Sequence, residues 1–330
     1  MHTDPPASPI EGVFVSRGAT DERALRTLHE SGRIRRLRRG AYVDAAMWNA
    51  ASRRERSILR IHAVIGSRGF ADIVSHDSAA VLHGVSLLRE PEEVHVLDPS
   101  ARSTRRRNGL VLHAGSLTES DRLARPPFLV TTPRRTLVDV ARSLPFRDGV
   151  AALDSALRTG LLERDSVRHE VESSGMRYGE GAVLRALAFA DERAANPGES
   201  LSRVVIHELG FQAPTILQKE FRDRRGRIGF TDFWWEEAGI VGEFDGFAKY
   251  SKPEYLGALS PSQVVVREKA RERRLEAHPE VSRVARWVWS DLMNPPRLFA
   301  LLSEARVPRR AGQSEERRTA AARTAGEANR

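Results

Sequence analysis

Residues Asp232–Lys249, DFWWEEAGIVGEFDGFAK, read as a strand, a turn and a second strand. Side chains alternate along a strand with period two, so Val241, Glu243 and Asp245 share one face while Ile240 and Phe244 point the other way. Two carboxylates therefore project side by side. Burying an unpaired charge costs several kcal/mol, so a strand of this composition calls for a cation beside the acids. A divalent metal is the first candidate; the plainer alternative is pairing of Glu243 with Arg267 or Arg271 across a groove.

The chain has 330 residues, a length that points to about two domains with room for disordered ends. It contains no cysteine, which excludes disulfides, thiolate zinc sites and cysteine nucleophiles and leaves oxygen or imidazole as metal ligands. The opening MHTDPPASPIEGVF lacks a basic segment followed by an apolar run, and no apolar stretch reaches membrane-spanning length, so a cytoplasmic protein without membrane contact is expected. The formal net charge is +9 and arginine carries nearly all of the positive charge. Such a balance favours polyanion partners, because the guanidinium fork matches phosphate. A high-GC genome also raises arginine content, but it does not explain clustering.

From Gly18 the text ATDERALRTLHESGRIRRLRRGAYV reads as a helix with Thr20 at its cap, a stop at Gly32, and a short hairpin turning at Gly40. Five arginines, Arg33, Arg35, Arg36, Arg38 and Arg39, sit on that hairpin. A helix, a glycine and a basic hairpin form the pattern of a winged helix, and the arginines are the candidate nucleic-acid contacts. Further on, SHDSAAVLHGV, EVHVLDP and RPPFLVTTPRRTLVDVAR follow. Together with ESGRIRRLRRGAYV, these phrases resemble the AbiEi-type antitoxins and regulators of bacteria over roughly residues 12 to 170. The resemblance implies a winged helix-turn-helix at 12–55, an α/β domain at 56–195, DNA as a ligand and a cognate toxin as a possible protein partner.

Within this region Ser75, His76 and Asp77 are adjacent, so they cannot point at one another as a catalytic triad does. Ser75 or Asp77 is expected to cap the helix containing Ala79 to Leu82. The runs around Val94 and Leu110 read as two strands joined through SARSTRRRNG, with Arg105 to Arg107 at the tip and Asn108–Gly109 as the turn. Asn196–Pro197–Gly198 reads as a domain boundary.

Beyond it the order is helix, three strands, helix, strand and helix. The phrases ESLSR, TDFWW, GEFDGFAKY, EKARERRLEAH and VARWVWSDL resemble the very-short-patch-repair-like branch of the PD-(D/E)xK nucleases over residues 196–304. The expected fold class is thus α/β and α+β, multidomain, with a disordered start at 1–11 and a basic tail at 305–330. The resemblance implies an endonuclease site in which Asp232, Glu243 and Glu199 hold Mg2+ or Mn2+, with Asp245 and Lys249 as further catalytic candidates. Magnesium takes oxygen ligands and keeps several waters, so two or three convergent carboxylates suffice. One departure is that Asp245 occupies the usual lysine position, leaving Lys249 or Lys269 to supply the cation. One of Trp234 and Trp235 is expected in the core and the other at the surface. Two readings follow: a metal-dependent endonuclease that binds DNA, and a non-catalytic DNA-binding regulator or antitoxin.

Overall fold

The computed structural model of the protein describes residues 11–16, 18–173, 178–246 and 261–310. Lys249 and most of the expected terminal segments lie outside them. The chain is of mixed α/β and α+β class and divides into two compact units, Met1–Ala190 and Asp191–Arg330.

The first unit opens with β1 (Val13–Val15), α1 (Ala19–Glu30), β2 (Ile34–Arg38) and β3 (Ala41–Asp44), which form an antiparallel sheet in the order β1-β3-β2. Two helices, α2 (Ala45–Ala50) and α3 (Arg53–Gly66), follow the hairpin. Among the described residues a single helix precedes the hairpin and the helical pair follows it, so the helix-turn-helix expected ahead of a wing does not stand there. Each face of this small sheet is covered. Ile34 and Tyr42 pack on Leu25 of α1, while Val13, Ala41 and Val43 pack on Trp48, Leu59 and Ala63 of α2 and α3. A capping box between Ser52 and Glu55 starts α3. Thr20 does not cap α1, because the helix begins one residue earlier with Gly18 before it.

The same unit continues into a six-stranded sheet with the order β6-β7-β5-β4-β9-β8. Its strands are β4 (Ile73–Val74), β5 (Val94–Asp98), β6 (Arg105–Arg107), β7 (Leu110–Ala114), β8 (Arg122–Arg125) and β9 (Phe128–Thr131). The expected hairpin of β5 with β7 is corrected: the two run parallel, and the arginine triplet forms a separate edge strand antiparallel to β7. A row of exposed arginines on an edge opposes pairing with another chain. Helices α4 (His76–Leu82), α5 (Pro133–Ser143), α6 (Phe146–Arg158), α7 (Arg164–Ser173) and α8 (Glu180–Phe189) complete the unit.

The second unit contains α9 (Pro197–Glu208), β10 (Ile216–Asp223), β11 (Gly226–Trp235), β12 (Ile240–Asp245), α10 (Pro261–Glu276), β13 (Arg283–Val288), α11 (Trp289–Leu292) and α12 (Pro295–Glu304). Asn196–Pro197–Gly198 opens α9 inside this unit rather than separating two units. The sheet order is β10-β11-β12-β13, an antiparallel meander whose third strand pairs in parallel with the fourth. A parallel pair needs a crossover, and the segment carrying α10 supplies it.

Both faces of this sheet are buried. Phe221, Ile228, Trp234 and Val241 pack with Leu275 of α10. On the other face Phe233 stacks on Trp287 at 5.2 Å, and Gly198 of α9 lies against Phe244. Consequently Trp234 and Trp235 are both in the core, against the expectation that one would be exposed. Part of the expected tail is also packed: Val307 is buried, and the Arg309 guanidinium lies 4.4 Å from the ring centres of both Phe211 and Phe299. Among the described residues no helix is long and apolar enough to cross a membrane.

Candidate functional site

Glu199 stands in the first turn of α9, where helix N–H groups lack intrahelical partners. The Asn196 side chain accepts from the N–H groups of Gly198 and Glu199. In return the Glu199 carboxylate accepts from Ala195 N at 2.8 Å and Asn196 Nδ2 at 2.6 Å. This reciprocal arrangement is a capping device, so Glu199 has a structural role independent of any ligand.

Glu199 is also brought to Asp232. Gln218 Nε2 donates to Glu199 Oε2 at 3.0 Å and to Asp232 Oδ1 at 3.3 Å. Gln218 lies between the β10–β11 pairs Leu217↔Phe233 and Lys219↔Thr231, which puts it opposite Asp232. Its position in the strand register was the available signal, but it acquires meaning only once the pairing is known. Asp232 Oδ2 accepts from Phe244 N at 2.7 Å, so this carboxylate replaces a strand carbonyl just beyond the last β11–β12 pair, Phe233↔Gly242.

Glu243 is held differently. Its Oε1 accepts from Arg271 Nη2 at 2.7 Å and its Oε2 from Arg286 Nε at 3.0 Å. The pairing with Arg271 realises the alternative considered from the sequence, and Arg286, one strand away in the parallel register Glu243↔Arg286, adds a second cation. Glu243 raises the pKa of Arg271 against the opposing effect of burial. Asp245 sits half-buried at the end of β12. Lys269 is exposed on α10, two residues before Arg271 and hence about 200° around the helix from the side that meets Glu243.

This arrangement does not fit a magnesium centre. Magnesium needs oxygens converging on one point, whereas Glu199 and Asp232 are bridged by an amide and Glu243 is neutralised by two guanidiniums. Among the described residues no group of three or more His, Asp or Glu is placed to hold a metal ion.

The arginine run on the β2–β3 hairpin is divided by the period of the strand. Arg36 lies opposite Tyr42 on the α1 face, and Arg35 lies opposite Val43 on the face that carries Trp48. Arg33, Arg35, Arg36 and Arg39 are exposed. Arg38 is half-buried, and desolvation, with Arg68 nearby, lowers its pKa.

A histidine cluster, with His76 buried and His95 and His113 half-buried, escaped the sequence reading. His76 stacks on His113 with ring centres 3.6 Å apart, and His95 Nδ1 lies 3.0 Å from His113 Nε2. Burial lowers the pKa of His76, of His95 to about 3 and of His113 to about 4, and the neighbouring charges of Arg106, Arg135 and Arg142 act in the same direction. The imidazoles are therefore neutral at neutral pH, where one ring can donate and its neighbour accept. Ser75 occupies the N-cap position of α4 as expected, but its hydroxyl meets His76 Nδ1 at 3.0 Å rather than a helix N–H. Below the cluster, buried Asp139 accepts from Arg135 and Arg142 at 2.8 Å each.

Two uncharacterized proteins of Mycobacterium tuberculosis, Rv2248 and MT2308, are each 31% identical to this chain over 176 residues, 53% of its length. The chain spans 63% of the length of these relatives. A crystal structure of the RV2827C protein from Mycobacterium tuberculosis matches with a TM-score of 0.31 at 14% identity, covering 62% of this chain and 78% of that one, a likeness too slight to bear on the fold. Residues 69–185, which hold the six-stranded sheet and the histidine cluster, match the family model of the AbiEi antitoxin C-terminal domain.

Proposed function

We propose that the protein is a DNA-binding regulator of the antitoxin type, acting with a cognate toxin. The observation that carries this reading is the match of residues 69–185 to the AbiEi antitoxin C-terminal domain. The basic β2–β3 hairpin of the same unit, with Arg33, Arg35, Arg36 and Arg39 exposed, and the net charge of +9 support DNA as its ligand. The full chain is expected to retard duplex DNA from its own promoter in a gel, with affinity falling steeply as salt rises. Co-expression is expected to relieve growth arrest by a toxin encoded beside it. Absence of both effects would sink this reading.

The second reading, a metal-dependent endonuclease, is favoured by one observation. The second unit has the helix–three strands–helix–strand order that the nuclease resemblance implies. The Arg-paired state of Glu243 weighs against it. Plasmid incubated with protein and Mg2+ or Mn2+ decides the matter: cleavage by wild type, lost in a folded Asp232→Ala variant, establishes the nuclease, and intact plasmid excludes it.

A further inference from the structure

We propose that the groove around Trp48, behind the β2–β3 hairpin, holds the phosphodiester backbone of DNA. The proposal rests on the DNA-binding reading and says which surface of the first unit serves it.

The groove has a volume of about 560 Å3 and is lined by Arg35, Arg53, Arg56, Arg60 and Arg89 around Trp48. The guanidinium carbons of Arg35 and Arg60 lie 5.3 Å from the Trp48 ring centre, and that of Arg56 lies 5.8 Å from it. Three cations share one indole face system, which gathers them and fixes their planes.

Two of the arginines are anchored by backbone. Arg56 donates from Nε to Trp48 O at 2.8 Å and from Nη2 to Asn49 O at 2.9 Å, while Arg60 Nη1 donates to Pro91 O at 3.0 Å. The others are open to a ligand. Among the described residues Arg35 and Arg53 form no ion pair, and Arg89 is exposed with a 3.6 Å contact to Asp148. Glu90 and Glu92 are the acids on the wall, so five guanidiniums face two carboxylates.

Like charges gathered in a concave surface repel one another and raise the local concentration of anions. Guanidinium forks bind phosphate oxygens in pairs, and a row of them matches a backbone with regularly spaced phosphates. Trp48 itself is 6% exposed, so it cannot serve as a platform for a base. The groove therefore positions DNA rather than reading its sequence.

The test uses full-length protein and a labelled duplex, with anisotropy measured over a range of salt. Replacing Arg35, Arg53 and Arg89 together by alanine is expected to lower the slope of log K against log salt by about 3, one unit for each phosphate contact. A control removes the same charge elsewhere in the unit, at exposed Arg158, Arg168 and Arg185, and is expected to leave the slope within about one unit of wild type. Thermal melts establish that both variants are folded. Trp48 is the one tryptophan of Met1–Ala190, so the emission difference between wild type and Trp48→Phe reports on the groove, and duplex is expected to change it. If wild type binds DNA and the groove variant keeps the wild-type slope, the inference is overturned while the DNA-binding reading stands. If wild type binds no duplex at any salt, both fall. Emission that responds to ATP or inorganic phosphate but not to duplex would overturn the DNA assignment in favour of a small phosphorylated ligand.

Discussion

Arg271 Nη2 donates to Glu243 Oε1 at 2.7 Å, and this contact turns the most suspicious acid of the sequence into the anion of a structural ion pair. With Arg286 on its second oxygen, Glu243 links α10 and β13 to the centre of the sheet. The carboxylate is the shared partner, so its loss leaves two guanidiniums without their principal anion.

Glu243→Ala is therefore expected to destabilise the second unit by about 1–3 kcal/mol, because two charge-assisted hydrogen bonds are lost while Arg271 keeps Glu268 and Arg286 keeps Glu272 and Glu276 as partners. Arg271→Ala and Arg286→Ala should each cost less, since one cation remains. Urea denaturation followed by tryptophan fluorescence measures all three. A Glu243→Ala variant as stable as wild type would refute the structural role.

Glu199→Gln should destabilise the same unit by about 1–3 kcal/mol, because the amide NH2 replaces one carboxylate oxygen and must then face either the Asn196 donor or those of Ala195 and Gln218. Asn196→Ala removes the cap itself and should cost about 1 kcal/mol. Equal stability of Glu199→Gln and wild type would show that the carboxylate is not needed as an acceptor.

Gly242→Ala should be destabilising by overpacking. An added Cβ would stand 2.7 Å from Cη2 of Trp287 and 3.0 Å from Cζ3 of Trp235, both ends of rigid indoles. A cost of about 1–3 kcal/mol is expected, read as a lower midpoint in urea with unchanged slope.

The first unit should lose stability on mild acidification. His95, His113 and His62 have folded-state pKa values lowered by burial to about 3, 4 and 4 from the ordinary 6.5. Between pH 6.5 and about 4 these histidines thus bind more protons in the unfolded chain than in the folded one, so their contribution, complete above pH 6.5, declines as pH falls, while Asp77, raised by burial to about 6, acts the other way and offsets part of the loss. Circular-dichroism melts should give a lower Tm at pH 5 than at pH 7.5, and His113→Gln should narrow the gap. An unchanged or higher Tm at pH 5 would contradict the buried neutral state.

Much of the local structure was legible because it rests on short-range rules. The basic hairpin around Gly40 and the three strands from Ile216 to Asp245 follow from periodicity and turn residues. The misreadings share a cause in strand neighbours. Arg105 to Arg107 form an edge strand, not a hairpin tip, because β5 and β7 pair in parallel, and Trp235 is buried because both faces of its sheet are covered.

The sequence by itself determined which acids and arginines exist, on which elements they stand, and on which face of its own strand each side chain lies, since these depend on neighbours within a few residues. The tertiary structure alone decided their partners. Asp232 meets Gln218 and the backbone of Phe244, Glu243 meets Arg271 and Arg286, and Arg35 meets Trp48 rather than Arg36's surroundings. In the stretch Asp232–Lys249, whether two acids on one strand need a metal turns on which cation reaches them, and Arg271 arrives at Glu243 from 28 residues further along the chain.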